Sequence, residues 1–200
     1  NCSVEYIVHK VNTEEKLSQI PTKYGIELDL RIRNNKLVLC HEYSDCNTEF
    51  EKFLQNYNHK ILVANIKDSG IEDIVIETLK RNKIENFFLL DVEFPYLIKN
   101  YKNNRQHLST RFSEFEDIKT SSNLVNKVDW IWIDTFNKLP IEKQNLEVIK
   151  NFKSCLVSPS RWGRINEIDK IVTKLKDLEY FPDYTMVDYD EINTWENSIG

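Results

Sequence analysis

The sequence predicts an α/β fold built on parallel strands, and three observations point to it. Short apolar runs of strand length recur from end to end, at EYIVHKV, IELDLRI, KLVLCHE, KILVANIK, FFLLDV, HLSTRFS, DWIWIDTF, SCLVSPS and YTMVDY. Segments with helical periodicity lie between most of them. Strands that alternate with helices run parallel, joined by right-handed crossovers. Counting IELDLRI and KLVLCHE as one strand with its hairpin extension leaves eight βα units. That is the number of a closed (β/α)₈ TIM barrel, here a small one forming a single domain over residues 1–200. An open doubly wound sheet is the alternative. No glycine-rich nucleotide fingerprint follows the first strand, however, and the chain has only 4 glycines.

Taken in order, the polar residues at the strand ends carry most of the functional information, because a barrel places its reactive groups there. The first strand ends in His9-Lys10, and EEKLSQIPTKY follows as a short helix. In the second, Ile26, Leu28, Leu30 and Ile32 alternate with Glu27, Asp29, Arg31 and Arg33. Glu27 and Asp29 therefore share a face, roughly 7 Å apart along the strand. A wet outer face explains that pair by itself; a site explains it once the other strand ends are added. The hairpin extension ends at His41, before the helix NTEFEKFLQNY. Strand three sets Ile61, Val63, Asn65 and Lys67 against Leu62, Ala64 and Ile66. In the helix SGIEDIVIETLKRN, Ile71, Ile74, Val75, Thr78 and Leu79 share one face. Strand four ends at Asp91, strand five at Arg111 and strand six at Asp134. EKQNLEVIKNF reads as a short helix, and GRINEIDKIVTKLKDL aligns Ile165, Ile168, Ile171, Val172, Leu175 and Leu178. Trp130 and Trp132 stand at strand spacing and are expected to pack outward against helices. His59 and His107 precede their strands in polar surroundings and are expected to be solvated.

The bulk properties narrow the partners. A net charge of −5 argues against nucleic acid, whose phosphates demand clustered positive charge. No apolar run reaches the length of a membrane span, and no exposed aromatic loop or basic amphipathic helix speaks for a lipid surface. Cys2, Cys40, Cys46 and Cys155 form no C-x-x-C pair, so a structural zinc site is not expected. Cys40 and Cys46 would close a small loop if paired. The size of the core and the uneven spacing favour reduced thiols and a cytoplasmic protein, although the chain starts at Asn1 rather than Met, which leaves a removed segment open.

VHKVNTEEKL, YGIELDLRIRNNKLVLCHE and ILVANIK together resemble the three motifs of the glycerophosphodiester phosphodiesterases. Their pattern is His-Arg-Gly with a Glu-Asn-Thr-like helix start, then Gly-x-Glu-x-Asp, then His-Asp after a hairpin, then Glu-x-Lys. The final MVDY looks like the family's last strand. The spider-toxin-type phospholipases D share the plan, including cysteines just past the second histidine. The resemblance spans nearly the whole chain in element order, with its specific motifs in the first third. It implies a (β/α)₈ barrel. It also implies that His9 and His41 are catalytic, that Glu27, Asp29 and Asn65 hold one Mg²⁺ or Ca²⁺, and that Lys67 and Lys10 bind phosphate.

Three departures stand out. Lys10 replaces arginine, so a bidentate grip becomes a point charge. Glu42 replaces aspartate. Asn65 replaces the third acidic ligand and removes one negative charge from the cation site; Asp68 and Asp91 are candidates to compensate. In SPSRWGR, Arg161 and Arg164 are candidates to contact the rest of a substrate and Trp162 to stack on a sugar, in the region where barrels bind phosphate. Capping of the barrel by Trp162 and surface charges at the arginines explain the stretch as well. Arg111, Asp134 and Glu114 are pocket candidates, or a buried Arg–carboxylate pair. The expected function is cleavage of a small-molecule phosphodiester, of glycerol, lipid or sugar type, with histidine acid–base chemistry. The alternative is a weakened barrel that binds a phosphorylated ligand without cleaving it.

Overall fold

The computed structural model describes residues 3–200; Cys2 lies outside them. The first half of the chain contains β1 (Glu5–Val8), α1 (Glu14–Gln19), β2 (Gly25–Arg33), β3 (Lys36–Leu39), β4 (Thr48–Glu49) and α2 (Phe50–Leu54). It continues with β5 (Leu62–Ile66), α3 (Glu72–Arg81), β6 (Phe87–Leu90) and α4 (Phe94–Asn104). The second half contains β7 (Ser109–Phe112), α5 (Ile118–Asn123), β8 (Trp130–Ile133), α6 (Leu146–Ile149) and β9 (Lys153–Val157). It ends with α7 (Ile168–Asp177), β10 (Tyr184–Val187) and α8 (Ile192–Ile199). Every apolar run singled out in the sequence coincides with a strand, and the mixed α/β class is the one expected.

The residues group into two compact units, Val8–Asn100 and Tyr101–Gly200 with the segment up to Ile7. In the first, the strand order is β4-β3-β2-β5-β6. β2, β5 and β6 run parallel. β3 returns antiparallel along β2 through Asn34 and Asn35, at φ of 51° and 61°. Positive φ at both central residues is what a two-residue hairpin turn needs, and asparagine tolerates it. The register sets Asp29 opposite Asn65 and Glu27 opposite Val63. β2 is buried on both faces from Gly25 to Leu30, so its carboxylates do not face solvent as a surface strand's would. α1 starts where the Thr13 hydroxyl accepts the Lys16 amide hydrogen bond, and stops before Pro21.

The other unit places β1 beside β10 and continues β9-β8-β7, with β10/β9, β9/β8 and β8/β7 parallel. Each unit's own sheet is open. α4 and α5 bury little, Leu97 in one and Ser121 in the other. Elements with so few core positions leave a faint periodic signal, which is why the sequence did not single them out.

Four side chains differ from expectation. α3 buries Glu72, Val75, Ile76 and Leu79, spaced i, i+3, i+4 and i+7, and leaves Ile74 exposed. Ile165 falls in a 3₁₀ turn before α7 and is exposed. His107 is only 3% exposed, because the 3₁₀ turn Arg105–His107 folds it under β7 rather than into solvent. His59 is half-buried: its Nε2 donates to the Ile20 carbonyl at 2.8 Å and its ring stacks on Tyr57 with centroids 5.5 Å apart. Trp130 and Trp132 are buried, Trp130 against the Tyr184 ring.

Burial holds the His59 pKa below 6.5, partly offset by the hydrogen bond to Ile20. A histidine with a lowered folded pKa stabilises the fold fully above its unfolded value and loses that contribution as pH falls through the folded one. Urea midpoints at pH 7.5 and pH 5 should therefore differ less in His59→Gln than in the natural protein.

Candidate active site

Glu27 and Asp29 are 3% and 1% exposed, and Asn65, beside them on β5, is 6% exposed. Their surroundings are specific. Glu27 Oε1 accepts the backbone amide of Lys10 at 3.0 Å. The Asn12 side chain clamps Asp29 twice: its Nδ2 donates to Oδ2 at 3.0 Å, and its Oδ1 accepts the Asp29 amide at 2.9 Å. Lys67 Nζ lies 3.7 Å from Asp29 Oδ1. Burial, with the Asp29 charge adding to it, pushes the Glu27 carboxyl up to about 7, against the lowering influence of His9, the Lys10 amide and the Asn65 side chain. Asn65 Oδ1 is buried without a hydrogen-bond partner. A buried amide oxygen left unsatisfied is costly.

His9 and Lys10 sit at the end of β1, where Lys10 takes φ 59°. Lys16, in the first turn of α1, donates its Nζ to both their carbonyls, at 2.9 and 2.8 Å, and so fixes the turn that presents His9. His41 follows β3. Its Nδ1 lies 3.0 Å from Glu42 Oε1, and its carbonyl accepts from Arg31 Nη2 at 2.8 Å. Lys67 reaches Asp29 because its own amide continues the β2–β5 ladder, donating to the Leu30 carbonyl at 2.9 Å. All the candidate residues of the first third thus belong to one compact unit. Asp68 is not available to replace the missing acid: it accepts from the Ile32 amide and the Tyr43 hydroxyl. Asp91 is exposed.

The donor set fits a hard cation. Two carboxylates and an amide oxygen are oxygen ligands of the kind Mg²⁺ and Ca²⁺ take, and the unpartnered Asn65 Oδ1 is one that a cation would satisfy. Among the described residues no group of three or more histidine, cysteine, aspartate or glutamate side chains could hold a metal. Asn65 brings an amide oxygen, not a carboxylate, to this group.

The cysteine expectation is overturned. Cys40 and Cys46 form a disulfide, with Cα atoms 4.8 Å apart, and Cys155 is a buried thiol. The 3₁₀ turn Tyr43–Asp45 curls the chain back toward the end of β3, a conformation that spacing alone does not reveal. A cytoplasmic location loses the support that reduced thiols gave it.

The later candidates occupy the other unit. Buried Asp134 accepts from Arg111 Nη2 at 2.9 Å, from Trp162 Nε1 at 2.9 Å and from the Thr135 amide at 2.8 Å. Arg111 Nε donates to Glu116 at 2.8 Å. Arg164 donates to the carbonyls of Phe136 and Thr135 at 2.7 and 2.8 Å and pairs with Glu167. Glu114 accepts the Asn137 and Lys138 amides. The guanidinium of Arg161 lies over the Trp162 ring, 4.5 Å from its centroid, and the Phe136 ring packs beside it at 4.8 Å. Phe115, in contact with Phe136, is largely exposed. An exposed aromatic loop is thus present, contrary to the sequence reading. No helix among the described residues is long and apolar enough to cross a membrane.

Neither a family model nor a curated protein matches the sequence. Solved structures do match. One is a glycerophosphodiester phosphodiesterase from Agrobacterium tumefaciens str. C58, at 11% identity and TM-score 0.68, covering 98% of this chain and 100% of that one. The chain has the fold of that phosphodiesterase. A second solved structure from the same organism, of a putative glycerophosphoryl diester phosphodiesterase, matches at 10% identity and TM-score 0.66, covering 97% of each chain. At such identities the phosphodiesterase likeness is one of fold, and the chemistry has to come from the residues.

Sequence reasoning missed Asn12, Lys16 and the disulfide. Asn12 lies just before the N-cap of α1, and nothing in its spacing announces a partner 17 residues away. Replacing Cys40 and Cys46 by serine should lower stability by about 2 kcal/mol, the loop-entropy value for so short a ring. Urea unfolding of oxidised and reduced protein checks this, and the serine variant should be insensitive to reductant.

Proposed function

We propose that the protein cleaves a phosphodiester with the help of one divalent cation. The observation that carries this reading is the buried Glu27–Asp29–Asn65 group with its unpartnered amide oxygen, flanked by Lys67 and by two histidines at neighbouring strand ends. The fold match supports the same class of activity. In the same proposal the chain closes its strands as a single small (β/α)₈ barrel.

Glu27, Asp29 and Asn65 would hold the cation. When bound, Mg²⁺ or Ca²⁺ supplies charge stabilisation for a phosphoryl oxygen. Lys67 and Lys10 stabilise the non-bridging oxygens as negative charge builds there. One histidine takes the proton of the attacking hydroxyl, and the other gives a proton to the departing alkoxide. With Nδ1 of His41 facing Glu42, its Nε2 is the nitrogen free for that exchange. Where the attacker is the substrate's own neighbouring hydroxyl, its oxygen bonds to phosphorus, the P–O bond to the second alcohol breaks, and a cyclic phosphate forms. Water opens that ring in a hydrolase and does not in a lyase. The remainder of the substrate is a glycerol, lipid or sugar alcohol.

³¹P NMR of the protein with glycerophosphodiesters, lysophospholipids and sugar phosphodiesters, with Mg²⁺ or Ca²⁺ and with chelator, tests the reading. A monoester or cyclic phosphate should appear only with metal, and His9→Ala and His41→Ala should each lower the rate about 10²–10⁴-fold. Calorimetry should find cation binding abolished in Asp29→Asn and tightened in Asn65→Glu. Turnover that appears only in Asn65→Glu would reassign the natural protein as a binder of phosphorylated ligands.

A further inference from the structure

We infer that Arg31 is the positioning residue that sets His41 for chemistry, acting through the loop after β3. The inference rests on the assignment of His41 as a proton-transfer group. Arg31 continues the polar row of β2, two residues beyond Asp29, on the same face by strand geometry. It is mostly buried, its side chain 13% exposed, in a stretch where a solvated strand end would serve equally well if the arginine had no task.

Its guanidinium meets three partners at once. Nη2 donates to the His41 carbonyl at 2.8 Å. Nη1 lies 3.5 Å from Asp68 Oδ1. The plane sits over the Tyr43 ring, 4.2 Å from its centroid. The latch closes on itself, because Asp68 Oδ1 also accepts the Tyr43 hydroxyl at 3.0 Å, and Asp68 Oδ2 accepts the Ile32 amide at 2.9 Å. Asp68 directly follows Lys67, so the latch joins the loop of His41 to the strand end that carries the phosphate-binding lysine. Arg31 Nε is buried without an acceptor, a cost accepted for the geometry of the other contacts. A lysine has no planar fork and cannot stack, pair and donate in this way.

The loop is restrained on both sides of this contact. The Cys40 amide donates to the Asp29 carbonyl at 3.1 Å, and the Cys40–Cys46 disulfide closes the chain beyond. The imidazole itself is held at Nδ1 by Glu42. Arg31 therefore restrains, through its side chain, the backbone of the residue that bears the imidazole, and its loss would let that residue drift while the loop stays tied at its ends. A displacement of about 1 Å is enough to cost about 10²-fold in rate.

The test compares the natural protein with Arg31→Gln, Arg31→Lys and Asp68→Asn, using glycerophosphocholine with Mg²⁺ as the probe and ¹⁵N-histidine labelling as a second readout. The expected result is a fall in kcat of about 10²-fold with KM within about 2-fold, since ground-state binding is untouched, and recovery of under about a tenth of the loss by Arg31→Lys. The ring resonances of His41 should shift or split in Arg31→Gln, while those of His59, in the same unit, stay in place and report an intact fold. Unchanged kcat with unmoved His41 resonances would overturn the inference, and so would a displaced His59 spectrum, which marks general loosening. If the natural protein turns over nothing, the phosphodiesterase reading fails by itself, and the His41 resonances alone decide whether Arg31 sets the imidazole.

Discussion

Glu27 and Asp29 are carried out of water on one face of β2, and the chain around them is arranged to make that tolerable. Burial costs several kcal/mol for each ion. Repulsion between two charges roughly 7 Å apart adds only about 2 kcal/mol at an effective dielectric of ~20. Desolvation is the larger effect, in keeping with the order of causes behind the raised Glu27 pKa. The compensation is built from local groups: the Lys10 amide on Glu27, the Asn12 clamp and Lys67 on Asp29. Each comes from a segment that also carries a functional candidate. The requirement to offset the carboxylates therefore sets the positions of the His9–Lys10 turn and of the β5 end.

The two clusters of polar and charged residues use charge differently. Arg111 and Arg164 are committed to carboxylates and backbone carbonyls, and Asp134 receives three hydrogen bonds, so that cluster is largely satisfied internally. The Glu27–Asp29–Asn65 group retains an unpartnered oxygen and a carboxyl whose pKa burial raises. Residues that look alike in sequence, charged groups at the ends of parallel strands, thus divide into a scaffold and a candidate site according to whether their hydrogen bonds are complete.

Asn65 makes the central group unusual in its charge balance. Two carboxylates face one amide oxygen, with Lys67 beside Asp29. Replacing an acid by an amide lowers the attraction for a divalent ion, yet it also lowers the cost of the buried group when no ion is bound.

The sequence by itself determined the class of the fold and the members of the central group. Alternation with period two located β2 and put Glu27 and Asp29 on one face. The apolar runs marked the strands, and His9, His41 and Lys67 followed as strand-end residues. These features were legible because they depend on local periodicity, which a chain carries in every short window. Only the tertiary structure decided the rest: the Asn12 clamp, the Arg31–Tyr43–Asp68 latch, the Cys40–Cys46 bond, the burial of His107, and the rotation of α3 that hides Ile76 and exposes Ile74. Each of these depends on which distant groups meet or on how a short turn bends. Hydrogen bonding and burial between segments far apart in the chain leave no spacing of their own to read.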